Sequence, residues 1–315
     1  PLRDCSEHEF LTYVEQDNAF YNFPIHKADI ALMPDKEIIY KELEQAELAN
    51  SEVRFDPAGN QLEGGGLSNV NNLEEFWIKS VGVTLYEKFV KYYTQKMWMV
   101  TDNKQIDNFG WSPKGVTIKE GSKESWDSAI SAYPLAEDGY NKYFDLSTQE
   151  SNVLLNTTIQ EYDIPNKRVK ITDEWFSYDI IINTISPDII MNNIYGELSY
   201  IGRDMLKIIL PLKSVFPGNV YFLYYAGKQD YTRIVEYKKL TRQNLDTPTS
   251  LISIEFISKN GKYYPLPFKS AISKAKKYLD ELPDGVFSIG RAGSYDYGVD
   301  IDDSIEQAME VINSL

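Results

Sequence analysis

Four tyrosine-bearing segments are the parts of this chain best suited to hold a ligand. The chain has 23 tyrosines among its 315 residues. A tyrosine ring offers a stacking face and its hydroxyl offers a hydrogen bond, so tyrosine-rich surfaces suit sugars and nucleotides. The segments read Tyr-Thr-Gln-Lys-Met-Trp at 93–98, Tyr-Thr-Arg-Ile-Val-Glu at 231–236, Tyr-Tyr-Pro at 263–265 and Gly-Arg-Ala-Gly-Ser-Tyr-Asp-Tyr at 290–297.

Each of these residues also has a purely structural interpretation. A tyrosine taken alone is more often a half-buried core or interface residue than a ligand contact, and the same holds for Trp98. Arg233 and Glu236 can belong to an ion network on a sheet face. Tyr264 can be a strand residue before a proline, and Asp300 can be a helix cap. The residue types alone leave both interpretations open.

The charge balance excludes two classes of partner. Lysine and arginine number 32 against 47 aspartates and glutamates, which gives a net charge of −15. Nucleic acids and anionic membrane surfaces require clustered basic charge, so we expect neither as a partner. No apolar run reaches the roughly 20 residues that span a bilayer. An anionic small ligand stays possible only where a few arginines or lysines converge.

Cysteine and histidine are too scarce for several common kinds of site. Cys5 is the single cysteine, which excludes an internal disulfide and a thiolate metal cage. A reduced thiol suits the cytoplasm, which is the location we predict. The two histidines, His8 and His26, are too few for a histidine-rich metal site, and we predict no metal.

The first hundred residues predict two strands followed by helices. Apolar residues alternate in Phe10–Val14, and aromatic residues mark a second strand at Phe20–Ile25. Asn72 is followed three positions later by Glu75, the spacing of a helix capping box. The predicted helices run over 34–49, 72–85 and 85–97.

Residues 64–66 form a glycine triplet, a composition that can cradle a phosphate. No predicted strand leads into it, and no Gly-Lys-Ser or Gly-Lys-Thr follows, as a phosphate-binding loop requires. We therefore interpret it as a surface loop.

Beyond residue 150 the pattern becomes rich in strands. The predicted strands are Val153–Ile159, Lys167–Thr172, Tyr178–Ile185, Met205–Leu212, Val220–Tyr225, Thr232–Tyr237 and Leu251–Ile257. A helix over Phe268–Leu282, a strand over Val286–Ile289 and a last helix from about Asp302 complete the chain. Helices, then a sheet, then a strand–turn–helix predict an α+β fold.

In their order and separations, the four tyrosine-bearing segments resemble the UDP-galactopyranose mutase family. Weaker similarities support this: Asn-Leu-Glu-Glu at 72–75, Ile-Ile-Asn-Thr at 181–184 and Tyr-Gly-Glu-Leu at 195–198. These flavoenzymes interconvert the six- and five-membered rings of UDP-galactose. The resemblance implies that reduced FAD acts as a covalent catalyst that displaces UDP, with no net redox change.

The resemblance implies a three-part protein with a discontinuous, Rossmann-like FAD-binding domain, a helical domain and an antiparallel β-sheet domain. We expect the helical domain at 31–112. The incomplete FAD-binding domain is expected at 1–30, 150–190 and 284–315. The sheet domain, which carries substrate residues, is expected at 113–149 and 191–283.

The resemblance also assigns roles to individual residues. The residues expected to bind the nucleotide sugar, either UDP-galactose or another one, are Tyr93, Trp98, Tyr133, Arg233, Tyr264 and Tyr297. Among them, Arg233 matches an arginine that clamps the diphosphate with two charge-assisted hydrogen bonds. Arg291 matches an arginine that contacts the flavin, and Asp300 precedes a helix whose amino end approaches the cofactor. The side chains of Arg233, Tyr264, Tyr297, Tyr93 and Trp98 are expected to converge on one ligand.

Two departures from the family limit what we expect of this chain. The family's glycine-rich segment for the FAD diphosphate, Gly-x-Gly-x-x-Gly, occurs nowhere in the sequence. A second arginine of the family corresponds to Trp111, and Lys114 is the nearest cation. We therefore expect weak or absent FAD binding and no turnover of UDP-galactose by the chain alone.

Three hypotheses remain open at this point. The chain is an incomplete mutase-type enzyme whose N-terminal segment is missing or supplied by another chain, a non-catalytic nucleotide-sugar-binding module, or a related flavoprotein with another substrate. An incomplete flavin domain would expose apolar surface along Tyr178–Ile185 and Val286–Ile289. We therefore also predict a homodimer.

Overall fold

The computed structural model describes residues 2–50, 54–55, 61–62, 70–109, 118–125 and 132–315. Their contacts divide the chain into two units. Unit 1 comprises Pro1–Glu150 and Asp204–Ile257, and unit 2 comprises Ser151–Arg203 and Ser258–Leu315. The glycine triplet 64–66, Trp111 and Lys114 lie outside the described residues, so the expectations placed on them remain predictions.

Both units mix helices and strands, which confirms the α+β class. The strands are β1 (Leu2–Asp4), β2 (Glu9–Val14), β3 (Ala19–Phe23), β4 (Arg54–Phe55), β5 (Gln61–Leu62), β6 (Ala132–Pro134), β7 (Glu161–Asp163), β8 (Arg168–Ile171), β9 (Glu174–Ser177), β10 (Ile181–Asn183), β11 (Tyr200–Leu210), β12 (Val220–Tyr225), β13 (Tyr231–Glu236), β14 (Ser250–Ser258), β15 (Tyr264–Pro265) and β16 (Val286–Ser288). The helices are α1 (Lys27–Ile30), α2 (Lys36–Asn50), α3 (Leu73–Val81), α4 (Val83–Phe89), α5 (Lys91–Trp98), α6 (Asn141–Thr148), α7 (Pro187–Ile190), α8 (Tyr237–Thr241), α9 (Lys269–Asp280), α10 (Gly290–Gly293) and α11 (Ile301–Ser314).

The main sheet of unit 1 places β11, β14, β13, β12, β2 and β3 side by side in that order. The pairs β2–β3, β12–β13 and β13–β14 are antiparallel, as expected for a sheet domain. The pair β2–β12 is parallel, because these strands come from distant parts of the chain and no hairpin constrains them. The register places Arg233 between Tyr224 on β12 and Glu255 on β14.

Helices α3, α4 and α5 follow one another with sharp local breaks. The Asn72 side chain accepts a hydrogen bond from the Glu75 amide at 3.0 Å, so the predicted N-cap is confirmed. Gly82, with φ +88°, ends α3 and begins α4. The helix predicted over 85–97 is interrupted at Val90, whose φ and ψ of −115° and −47° bend the chain between α4 and α5 without leaving the helical region.

Unit 2 is built around a parallel strand pair followed by a turn and a short helix. β10 pairs with β16 in parallel register, and α10 begins at Gly290. A separate antiparallel sheet of β7, β8 and β9 belongs to the same unit. Buried apolar residues form one core there, namely Ile164, Ile190, Met191, Leu198, Tyr200, Ala275, Tyr278, Val286 and Tyr295.

One predicted strand is wrong, whereas the others after residue 150 are confirmed with shifted ends. Residues 153–159 form no strand, and Leu155 is 78% exposed. Their apolar composition favours a strand, but no neighbouring strand offers them backbone partners among the described residues. Helix α6 was not predicted from the sequence.

The three-part domain division remains a prediction. Unit 1 joins residues 1–30 to the helices and the main sheet, since β2 pairs with β12. Unit 2 joins 151–203 to the last helices. The units therefore group the first thirty residues differently from the predicted FAD-binding domain.

Candidate functional site

The first candidate cluster lies on the main sheet of unit 1 and centres on Arg233. The Arg233 Nε donates a hydrogen bond to Glu255 Oε2 at 2.6 Å, and the two side chains are 24% and 2% exposed. The guanidinium carbon lies 4.8 Å from the centre of the Phe222 ring. The ring of Tyr224 packs edge-on against Tyr93, with centroids 5.7 Å apart. We name Tyr93, Phe222, Tyr224, Arg233 and Glu255 the Arg233 cluster.

The surroundings of Arg233 keep its guanidinium group protonated and positively charged. Burial by itself disfavours the charge of Arg233. Burial is the largest single influence, but the charge and hydrogen bond of Glu255 together with contributions from Tyr224 and Tyr93 outweigh it and hold the pKa of Arg233 above its ordinary value. The guanidinium is therefore a fixed positive charge at the partly exposed surface of a negatively charged molecule.

Hydrogen bonds from Lys96 join helix α5, which carries Tyr93, to the main sheet. Its Nζ donates hydrogen bonds to the carbonyl oxygens of Tyr225 and Tyr231 at 2.8 and 3.0 Å. Because these carbonyls belong to neighbouring strands, one side chain joins a helix to two strands. Burial lowers the pKa of Lys96 to about 8.

Two further residues expected at the site also belong to unit 1. Trp98 is 2% exposed and is one of the largest fully buried side chains. Tyr133 lies on β6, which pairs with β1, and its ring packs against Tyr140 at 5.4 Å. Among the described ring contacts of Tyr133, none reaches the Arg233 cluster. Their expected roles at the sugar remain predictions.

The second candidate cluster lies in unit 2 and brings together four of the predicted residues. The rings of Tyr264 and Tyr297 are 5.7 Å apart, and the Arg291 guanidinium carbon lies 5.4 and 5.6 Å from their centres. The Arg291 Nη2 donates to Asp300 Oδ1 at 2.5 Å. A fifth member, Arg203, stacks on Tyr264 with its guanidinium carbon 4.5 Å from the ring centre. We name these five residues the Tyr264 cluster.

Buried tyrosines position the Tyr264 cluster. The Tyr295 hydroxyl donates to the Ser199 carbonyl at 2.6 Å, and the Tyr200 hydroxyl donates to the Ala292 carbonyl at 2.9 Å. Burial raises the pKa of both tyrosines, so the hydroxyls stay protonated donors. These two bonds hold the 290–297 segment against the start of β11.

A buried acid fixes the loop that carries Tyr264. Asp188 is fully buried, and it accepts hydrogen bonds from Lys262, Ser186 and the Leu198 amide. Burial opposes the charge of Asp188, but these donors hold the pKa of its carboxyl below the usual range. Lys262 precedes Tyr264 by two positions and is thereby held in place.

Sequence reasoning missed Arg203, Tyr224 and Glu255. Tyr224 lies within the aromatic strand that was predicted, but nothing in the sequence indicates that it faces Arg233. Arg203 and Glu255 lie on strands without a motif of their own. Only the strand register could have revealed them.

Two further expectations concern metals and membranes. Among the described residues, no group of three or more metal-ligating side chains forms a site. No helix in the described part of the chain combines the length and apolar character needed to cross a membrane.

Comparison with known proteins decides the family. The sequence profile of the family described as UDP-galactopyranose mutase matches residues 88–297. The chain belongs to this family. The matched range contains every residue of the Arg233 and Tyr264 clusters except Asp300, which lies three residues beyond the end of the range. No curated protein sequence matched the chain.

Solved structures agree on the fold of this family member. A crystal structure of reduced UDP-galactopyranose mutase matches with a TM-score of 0.72 at 14% identity, covering 100% of this chain and 78% of that one. A putative protoporphyrinogen oxidase from Exiguobacterium sp. 255-15 matches with a TM-score of 0.66 at 12% identity, covering 99% and 81%. At such identities the matches show the fold.

The residues present fit one end of FAD better than the other. The Arg291 side chain is 30% exposed and already donates to Asp300, which caps helix α11, so a partly exposed cation lies beside a helix N-terminus. The Gly290 amide after β16 already donates to Gln307 Oε1 at 2.7 Å. The Arg291 cation suits the expected flavin contact, whereas the Gly290 amide is not available for the diphosphate of the cofactor.

Proposed function

We propose that this protein is a UDP-galactopyranose mutase-type enzyme that interconverts UDP-galactopyranose and UDP-galactofuranose. The observation that carries the proposal is the Tyr264 cluster. Tyr264 and Tyr297 were expected at the substrate and Arg291 and Asp300 at the cofactor, and these four residues lie in one cluster in unit 2. Such a clustering is unexpected for unrelated strand, turn and cap residues.

The proposed roles follow from the chemistry of each side chain. Arg233 would bind phosphate oxygens of the substrate as a permanent cation. The hydroxyls of Tyr264 and Tyr297 would donate hydrogen bonds to phosphate oxygens. Tyr93 would lie against the uridine or the phosphates. Arg291 would hold the cofactor, and FAD in its reduced form would supply the nucleophile when bound. The residues of this chain would thus bind and orient UDP-sugar while leaving the chemistry to the cofactor.

Turnover by the chain supplied with excess FAD tests this proposal, because the chain alone is expected neither to hold FAD tightly nor to turn over UDP-galactose. The chain is incubated with a large excess of FAD, a chemical reductant and UDP-galactofuranose, and formation of UDP-galactopyranose is followed by chromatography. Tyr264→Phe and Tyr297→Phe each remove one hydrogen bond to a charged group, so we expect each to lower kcat/KM by about 10- to 100-fold. Tyr263→Phe is the matched control, since Tyr263 is 56% exposed and lies outside the cluster.

Other results would contradict the proposal in distinct ways. If UDP raises the melting temperature but no isomerisation occurs with reduced FAD, the chain is a binding module instead. If Tyr263→Phe loses as much activity as Tyr264→Phe, the cluster does not carry the function. Turnover of a different nucleotide sugar alone would indicate a related flavoprotein.

We further propose that the chain forms a homodimer. The apolar side chains of Tyr178, Ile180, Ile182 and Ile185 are all at least 40% exposed, as expected, whereas Val286 is buried. Exposed apolar surface of this kind favours association with another chain. Light scattering that shows a monomer at high concentration would contradict the dimer.

A further inference from the structure

Tyr295 has a backbone conformation that is unusual for its residue type. Its φ of +53° lies in the left-handed region, where a Cβ atom crowds the backbone and glycine is favoured. Of the described non-glycine residues with a positive φ, Tyr295 alone is buried, with 4% of its surface exposed. Backbone strain of this kind persists only where surrounding contacts hold it, and it concentrates at functional sites. The contacts of Tyr295 therefore indicate what the strain serves.

Tyr295 occupies the position at which helix α10 stops. The helix ends at Gly293, Ser294 is its C-cap, and Tyr295 follows in the left-handed conformation. The Asp296 amide donates to the Arg291 carbonyl at 3.2 Å, which is the six-to-one hydrogen bond of a Schellman motif. Glycine usually occupies the left-handed position of this motif. Because a tyrosine fits the backbone there less well, its side chain must supply the compensating contacts.

The Tyr295 side chain joins this turn to the strand pair that carries Tyr264. Its hydroxyl donates to the Ser199 carbonyl at 2.6 Å, and the Leu266 amide donates to the same carbonyl at 3.3 Å. The ring packs edge-on against Tyr200, with centroids 5.0 Å apart. Ser199 immediately precedes β11, and Leu266 immediately follows β15, which pairs with β11 and carries Tyr264. The Tyr295 hydroxyl is therefore anchored at the end of the β11–β15 pair.

We propose that Tyr295 is a positioning residue, which places Tyr297 beside Tyr264 for contact with phosphate oxygens of the nucleotide sugar. The inference rests on the proposed function and deepens it. Tyr297 follows Tyr295 by two positions, so the left-handed turn and the anchored ring together set the direction in which the chain continues. The Tyr297 ring centre then lies 5.7 Å from that of Tyr264 and 5.6 Å from the Arg291 guanidinium carbon. Tyr295 acts on the ligand through Tyr297.

Binding of UDP and of uridine to the full chain tests this role, because uridine lacks the phosphates that Tyr297 is proposed to contact. Calorimetry compares the wild type with Tyr295→Phe, which keeps the ring and removes the hydroxyl anchor. The Ser199 carbonyl keeps the Leu266 amide as a donor, so the variant should fold. We expect UDP binding to weaken by about 3- to 10-fold, the effect of about one hydrogen bond, and uridine binding to stay unchanged.

A double-mutant cycle separates positioning from a general structural effect. Tyr297→Phe removes the hydroxyl that Tyr295 is proposed to place. Adding Tyr295→Phe to Tyr297→Phe should therefore weaken UDP binding by no more than about 2-fold. A general structural effect on unit 2 would lower the UDP affinity by the same factor with and without Tyr297→Phe. Equal factors, or equal losses of UDP and uridine binding in Tyr295→Phe, would show that Tyr295 is not a positioning residue.

Tyr278→Phe is the matched control. Tyr278 is also a buried tyrosine of unit 2, and its hydroxyl donates to the Gly196 carbonyl at 2.9 Å, which is not part of the Tyr264 cluster. Both Phe variants lose a buried hydroxyl, so thermal melting should show that both are destabilised but folded, whereas Tyr278→Phe should bind UDP as the wild type does. If Tyr278→Phe weakens UDP binding as much as Tyr295→Phe, the assignment of Tyr295 is wrong.

The outcomes separate this inference from the proposed function. UDP binding does not require isomerisation, so a wild type that binds UDP without turnover contradicts the enzyme alone, and the Tyr295 variants still test the inference. A wild type that isomerises its substrate while Tyr295→Phe retains full UDP affinity contradicts the inference alone. A wild type that does not bind UDP contradicts both.

Discussion

The Glu255 carboxylate shows how one residue of the site depends on another. It is 2% exposed, and Arg233 approaches it to 2.6 Å. A buried carboxylate that loses its cation keeps the full cost of desolvation. The proposed ligand-binding arginine is thus also a structural partner, and binding data on its variants need stability data beside them.

Arg233→Gln is expected to lower the free energy of unfolding by about 1–3 kcal/mol, because the buried Glu255 charge loses its cation. Adding Glu255→Gln removes that charge, so the double variant should be more stable than Arg233→Gln alone. Urea denaturation of Arg233→Gln, Glu255→Gln, the double variant and the wild type measures this. Strictly additive losses would show that the pair is not coupled.

Lys96 predicts a pH dependence of stability. Burial lowers its pKa to about 8, whereas the unfolded chain has the ordinary value of 10.5. Between these values the unfolded state binds the proton that the folded state has lost, so the contribution of Lys96 to stability rises with pH. This contribution of Lys96 to the free energy of unfolding is lost again as the pH falls through 8.

Lys96→Met removes this titration. The difference in free energy of unfolding between the wild type and Lys96→Met should therefore increase from pH 8 to pH 10.5. Denaturation curves across this range measure it. Lys104→Met, which removes a lysine whose side chain is 58% exposed, is the control for charge removal. A difference that stays constant with pH would contradict the prediction.

At the scale of elements, the junction between α3 and α4 depends on Gly82. Its φ of +88° and ψ of 169° belong to a region reached essentially by glycine alone. A Cβ there would lie 2.5 Å from Glu42 Oε2, the atom that accepts a hydrogen bond from the Thr84 amide at the start of α4. Gly82 therefore allows the turn between the two helices and also leaves room for Glu42, whose side chain caps α4.

Gly82→Ala is expected to destabilise the protein by at least about 1–3 kcal/mol through backbone strain, with the contact to Glu42 adding to it. Gly121→Ala is the matched control, since Gly121 also has a positive φ of +82° but no atom within 4 Å of the point where a Cβ would lie. Gly121→Ala should lower the free energy of unfolding by about 1–2 kcal/mol at most. Equal losses in thermal denaturation would show that the contact with Glu42 is unimportant.

Elements with strong local signals were predicted well. The N-cap at Asn72, strand Val220–Tyr225 and the helix after Met33 follow from residues that lie within a few positions of each other. The strand predicted at 153–159 was wrong, because a strand needs a partner that local sequence does not reveal. The parallel pairing of β2 with β12 could not be predicted for the same reason.

At the scale of the whole molecule, the net charge of −15 opposes folding through self-repulsion. Raising NaCl from about 10 mM to about 100 mM shortens the Debye length from about 30 to about 10 Å. We therefore expect the melting temperature at neutral pH to rise with salt. Near pH 4.7, where the net charge approaches zero, the rise should vanish. A fall in melting temperature with salt at neutral pH would contradict this.

The sequence by itself determined the family and the α+β class, and it supplied the residue types proposed for the site. Motif order and local spacing carry this information, and both are properties of the chain before it folds. The family match over 88–297 and the clustering of Tyr264, Arg291 and Tyr297 agree with it.

Only the tertiary structure decided which of these residues touch and which new ones join them. Arg203 meets Tyr264 because β11 and β15 pair in one register and Gly202 lets a backbone carbonyl approach. Trp98 is buried although its motif predicted a ligand contact. Burial and register depend on contacts between residues far apart in the chain, and a shift of one residue in register would turn each side chain to the opposite face.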